Sequence, residues 1–169
     1  MNLYDATSPV FTKLLRQADR WLDKADELAA QRKFDPEILV AARLAPDAYP
    51  LRRQLQSACD QAKFTAAKLA GKEPPVHPDT EQTLPELRAR LRTVIEYLAT
   101  FQRADFEGAA ERPCSHTWMQ GKAMRGGDYL DHMALPNLHF HLTMAYAILR
   151  HNGVPLGKPD YIGELPFTS

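Results

Sequence analysis

Three things are scarce in this 169-residue sequence, and each scarcity removes a class of protein. Cysteine occurs only as Cys59 and Cys114, too few for a disulfide framework; Cys59 stands among alanines in a helical segment, so a reduced, intracellular chain is expected. No apolar run approaches the roughly 18 residues of a membrane-spanning helix. The opening MNLYDATSPV has neither the basic start nor the apolar centre of a signal peptide, so the expected location is the cytoplasm, with no membrane partner. An excess of one charge is missing too: 21 Lys and Arg stand against 21 Asp and Glu. That balance argues against nucleic acid, whose binding needs clustered cations to displace counterions. With 44% hydrophobic residues and no repeat or linker, residues 1–169 are expected to form one domain. A chain of this size buries roughly 70% of its unfolded surface without staples.

What is present is helical periodicity. Leu3, Val10, Leu14, Ala18, Trp21, Leu22, Ala25 and Leu28 recur mostly three and four apart, which predicts one long amphipathic helix over 3–30. Pro9 interrupts it. Either Ser8 caps a helix that starts at Pro9, or a proline kink sits inside a helix that began near Leu3. Residues 34–50 predict a short helix capped by Asp35, opened by Pro36 and stopped by Pro46. A second long helix starts near Pro50 and ends at Gly71. Thr83 with Glu86 three residues later forms a capping-box start for a third, whose stripe is Leu84, Leu87, Leu91, Val94, Leu98 and Phe101.

The stretch from Phe101 to Pro136 has no helical period and is too long to be structureless in a compact domain. RPCSHTWM and KAMRGGDYL flank Gln120-Gly121 and predict a small β-hairpin closing one end of the molecule. A fourth helix is expected to open at Pro136 and stop before Gly153, with Arg150 and His151 favourably placed at its C-terminal dipole. The fold class that follows is all-α: a four-helix bundle with a short helix after helix 1 and a small β-hairpin in the helix 3 to helix 4 connection.

The segment PNLHFHLTMAYAILRHNG raises the question of a metal site, because it carries His139, His141 and His151. At about 100° per residue, His139 and His141 diverge by about 200° and cannot share a site. His141 falls on the apolar stripe of Leu138, Leu142, Ala145 and Leu149, whereas His139 shares a face with Thr143, Tyr146 and Arg150. His151 reads as a solvated C-terminal charge. Asn137, one turn before His141, sets an amide beside the imidazole. His116 and His132 lie on or beside the hairpin and read as surface residues. Cys114 and His116 share a strand face, yet no orienting acid stands near them. The C-terminal GKPDYIG reads as a tail packed along the bundle, since it lacks the context of a phosphate loop.

NLYDATSPVFTKLL, RLAPDAYPLRRQLQSACDQAK and YLDHMALPNLHFHLTMAYAILRHNGVPLGKPDYIG together resemble a bacterial family of unknown function within the DinB/YfiT-like metalloenzyme superfamily of four-helix bundles. The resemblance covers nearly the whole chain. It implies a metal held by one histidine of helix 2 and two histidines four residues apart on helix 4. His141 matches the second of that pair, Asn137 stands where the first would be, and helix 2 has no histidine. Gln54, Gln56 and Asp60 are the polar residues near its ligand position; Gln54 borders the apolar stripe, Gln56 and Asp60 lie off it, and the sequence leaves open which of them faces the core.

Zinc and its neighbours favour imidazole, thiolate and carboxylate. One imidazole with neutral amides is a poor set, and without three good ligands little lowers the pKa of a bound water. The expectation is therefore an uncharacterised cytoplasmic small-ligand-binding or dimeric bundle with a degenerate metal site at His141 and no cofactor. The alternative is a metal-dependent enzyme of thiol transferase, isomerase or hydrolase type, using His141 and a divalent metal such as zinc or nickel. A homodimer is expected from apolar residues lying off the core stripes, namely Phe11, Phe140, Met144 and Ala147; the resemblance points the same way.

Overall fold

Pro9 breaks the first helix instead of bending it. In the computed structural model, which describes residues 2–168, α1 (Leu3–Ala6) is a single turn and α2 (Ser8–Arg32) follows it at once. Between them Thr7 leaves helical geometry, with φ −118° and ψ −88°. Its hydroxyl donates back to the Leu3 carbonyl at 2.9 Å, and its own carbonyl accepts the Phe11 N–H at 2.7 Å. Ser8 is thus the first residue of α2 and not its cap. Pro9 sits in the first turn, where a missing N–H is harmless.

The short helix is smaller than its sequence suggests. Asp35 caps a single 3-10 turn, Pro36–Leu39, and the chain then leaves helical geometry well before Pro46. The reason lies in the next helix: α3 (Leu51–Ala70) begins with orphan N–H groups, and the carbonyls of Ala42 and Val40 accept those of Leu51 and Arg52. Those carbonyls are thereby committed outside any helix of their own. α3 ends at Gly71 in the left-handed conformation (φ +67°), and α4 (Leu84–Ala99) opens on the Thr83–Glu86 capping box.

The crossover carries two-residue strands, β1 (Pro113–Cys114) and β2 (Met124–Arg125), antiparallel with Pro113 opposite Arg125. The pairing is shorter than the flanking sequence suggested, because a 3-10 turn over Thr117–Met119 takes up the middle. Gln120 and Gly121 turn the chain with φ of 52° and 82°.

The largest departure is at the fourth helix, which begins ten residues before Pro136. α5 (Gly126–Tyr129), a π turn at Leu130–Ala134 and α6 (Leu135–His151) run on without a break. In a regular α turn the Pro136 ring would press on the carbonyl four residues back. The π turn places an extra residue there, with the Leu135 N–H reaching the Leu130 carbonyl, and the helix passes through the proline intact. Gly126 anchors this start against the crossover: a Cβ there would collide with the Ala109 carbonyl oxygen, and the Gly127 N–H donates to Ala110 at 3.0 Å.

Four long helices close a ring in which α2 packs on α4, α4 on α3, α3 on α6 and α6 on α2. One core cluster draws on all of them, from Phe11 and Trp21 through Leu55 and Leu91 to Leu142. α7 (Lys158–Ile162) lies along α2, where the Trp21 indole N–H donates to the Asp160 carbonyl at 2.9 Å and the Trp21 ring stacks on Tyr161. Among the described residues, no helix is long and apolar enough to cross a membrane.

Candidate functional site

α3 and α6 run antiparallel, so polar residues seven apart on α3 meet polar residues four apart on α6. Gln54 Oε1 and His141 Nδ1 lie 2.8 Å apart, and Asn137 Nδ2 donates to Gln61 Oε1 at 2.6 Å. The Gln54 amide nitrogen donates to the Tyr49 carbonyl, which leaves its oxygen to accept from His141. His141 therefore carries its hydrogen on Nδ1 and keeps a lone pair on Nε2. Its residue is only 9% exposed. Burial, with the nearby Arg53 cation as a lesser cause, holds the imidazole below its ordinary value, so it is neutral at pH 7.

The layer continues beyond Asn137. Gln61 Nε2 donates to Thr65 Oγ1 at 2.8 Å and to the Tyr129 hydroxyl at 3.4 Å, and that hydroxyl lies 3.0 Å from His116 Nε2. Tyr129 is fully buried, while His116 comes to the surface and lines a groove of about 600 Å³ with Phe64, Lys68, Glu73 and Ser115. Burial, and secondarily Lys68, lowers the His116 pKa. Far from being a plain surface residue, His116 has its ring set edge-on to Phe64 and stacked on Trp118.

Of the three helix-2 candidates, only Gln54 joins this layer. Gln56 and Asp60 point toward α4: Gln56 donates to Glu81 at 2.8 Å, and Asp60 accepts from Arg90 at 2.7 Å and pairs with Lys63 at 2.9 Å. Their correction follows from the wheel, since both lie off the stripe that α3 turns to α6 and on the side where Arg90 awaits a carboxylate. His139 lies against Tyr161 of α7, and His132 and His151 are exposed. Cys114 is buried with its thiol pKa raised by burial. Gln61, Thr65, Tyr129 and His116 were not legible as partners; the signal for Gln61 was its place two turns after Gln54.

These residues do not fit a transition metal. His141 Nε2 is one good donor, but its neighbours in the layer are the neutral amides Asn137, Gln54 and Gln61. Among the described residues, no group of three or more His, Cys, Asp or Glu side chains is gathered that could hold one.

A family profile described as a domain of unknown function, DUF1993, matches residues 3–162. The chain belongs to that family. A crystal structure described as a DinB family member protein from Shewanella denitrificans superposes with a TM-score of 0.95 at 45% identity, covering 99% of this chain and 95% of that one. The DUF1993 chain is thus a DinB-like four-helix bundle. No curated protein matches it.

Four imidazoles with lowered pKa make a pH prediction for this DUF1993 protein. Burial is the leading cause that lowers the pKa of His77, His116, His139 and His141 from the ordinary 6.5. Below that value the unfolded chain takes up protons that the folded chain refuses, so the unfolded state binds more protons and stability rises with pH there. Urea titrations are expected to show full stability above about pH 7 and a decline as pH falls from about 6.5 toward the lowered folded-state values. Stability that stays flat or rises on acidification to about pH 5 would contradict this.

Proposed function

We propose that this DinB-like protein is a small-ligand-binding bundle that works without a resident transition metal, with the groove at His116 as its binding site. One observation carries the reading. His141 and Asn137, the two positions where the resemblance puts metal ligands, are each tied to a glutamine of α3, and the chain of bonds that Asn137 begins runs through Gln61 and Tyr129 to His116 in an open groove. In this reading Gln54 and Asn137 hold the α3–α6 wall in register, and Gln61, through Tyr129, orients the groove's histidine. The metal-dependent enzyme of thiol transferase, isomerase or hydrolase type draws support from the free Nε2 of His141, but it needs two further strong ligands that neighbouring side chains do not supply.

Thermal unfolding in zinc or nickel, against a magnesium control, tests the reading, because a metal bound only by the native state raises Tm. No rise is expected. A rise of several degrees that disappears in His141→Ala would contradict it.

The protein is further proposed to be a cytoplasmic homodimer. Cys59 and Cys114 are both free and buried, as suits a reducing compartment. Phe11 lies wholly in the core, which corrects its place among the interface candidates. Phe140, 55% exposed, with half-buried Met144 and Ala147, remains as an apolar strip on the outer face of α6. Light scattering is expected to give twice the 19.1 kDa chain mass; a 19.1 kDa species would sink the dimer.

A further inference from the structure

With the Asn137 and Gln61 amides oriented as they stand and the Tyr129 proton directed at His116, the hydrogens along the buried polar chain can be counted as far as His116. Thr65 Oγ1 gives its proton to the Gln61 carbonyl at 2.7 Å, so it accepts from Gln61 Nε2. With the Asn137 amide nitrogen directed at it, Gln61 Oε1 is the acceptor of that pair and Nε2 the donor on the other side. The second Nε2 hydrogen of Gln61 goes to the Tyr129 hydroxyl, which is left to donate its own proton to His116 Nε2. His116 is therefore neutral with its hydrogen on Nδ1. Among the described residues Nδ1 has no side-chain or backbone partner and is not a buried orphan, so the groove wall presents an open N–H donor.

The charges around that donor are unbalanced. Lys68 lines the same groove and forms no ion pair among the described residues. An adjoining hollow shares Lys68, Glu73, Pro74 and Ser115 and adds Arg112, whose guanidinium donates to the carbonyls of Leu69 and Glu107 and to no carboxylate. Lys72 in that hollow is already paired with Asp105, which leaves Glu73 as the one unpaired acid beside two unneutralised cations. A surplus of one positive charge suits a monoanion better than a phosphate dianion. Ser115 and Thr117 add hydroxyls to the wall. Trp118, 62% exposed and stacked on His116 with ring centroids 5.8 Å apart, sets a flat apolar ring beside the groove's histidine.

We infer that this groove binds a small carboxylate with a flat apolar body, its oxygens accepting from His116 Nδ1–H and Lys68 and its body lying toward Phe64 and Trp118. The inference rests on the small-ligand reading above and names the ligand's chemical class.

Three probes with one ring and different charge separate the two claims: benzoate, benzamide and benzylamine, each titrated into the full chain and followed by NMR. The free protein is expected to show His116 as the Nδ1–H tautomer in long-range proton–nitrogen spectra. Benzoate is expected to shift Ser115, His116 and Lys68 and to saturate in the millimolar range, with Lys68→Met weakening it roughly tenfold, the scale of one charge-assisted hydrogen bond. Tyr129→Phe, which removes the donor to Nε2, is expected to let the Nε2–H tautomer appear. Equal binding of benzamide or benzylamine would overturn the carboxylate assignment and leave ligand binding standing. No saturable shift from any of the three would overturn both claims, and an Nε2–H tautomer in the free protein would overturn the donor geometry.

Discussion

Arg90→Met is expected to lower the unfolding free energy by about 3 kcal/mol, near the lower end of what breaking a buried ion network costs. Arg90 is 4% exposed yet holds three carboxylates: Nη2 meets Asp60 at 2.7 Å and Asp79 at 3.4 Å, and Nη1 meets Glu81 at 3.0 Å and the Pro78 carbonyl at 3.2 Å. Asp79 and Glu81 belong to the proline-rich connection between α3 and α4, so Arg90 clips that connection to both helices. Methionine keeps much of the apolar stem but leaves the carboxylates facing one another, with Lys63 and Arg53 as their remaining cations. Asp60 and Asp79 retain some water, which keeps the loss at the low end. Urea titration reads the value directly. A loss under about 1 kcal/mol would mean that the connection lifts away and solvates its acids.

Leu91→Ala is expected to cost about 2–5 kcal/mol, the range for truncating a buried leucine in a core that cannot collapse around the gap. Leu91 stands mid-way along the α4 stripe, is fully buried, and has the α2 and α3 core residues on either side of its helix. A denaturant midpoint shift equivalent to less than about 0.5 kcal/mol would place that stripe at the surface.

The stripe of α4 was legible because both of its signals are local: a capping box at Thr83 and Glu86, then leucines at helical spacing. The four-helix architecture was legible for the same reason. The start of the last helix was not, since Pro136 reads as a beginning and only a π turn lets a helix pass through it. His141 and Asn137 were legible as an inward pair from the wheel, but their partners depend on how α3 faces α6. Gln54 and Gln61 meet them because the helices run antiparallel, and no local pattern states that pairing. Gln56 and Asp60 looked equally eligible until Arg90, thirty residues after Asp60, claimed the other side of α3. His116 read as a surface residue because its role comes from Tyr129, a residue in the stretch without helical period.

Metal content is the measurement that bears most directly on the central claim. The protein, purified without chelator and dialysed against metal-free buffer, is analysed for zinc, nickel and iron per chain. The neutral layer of Gln54, Gln61 and Asn137 around a single imidazole predicts far less than one equivalent of any of them. Near one equivalent per chain, lost in His141→Ala, would contradict it and make the metal-dependent enzyme the better reading.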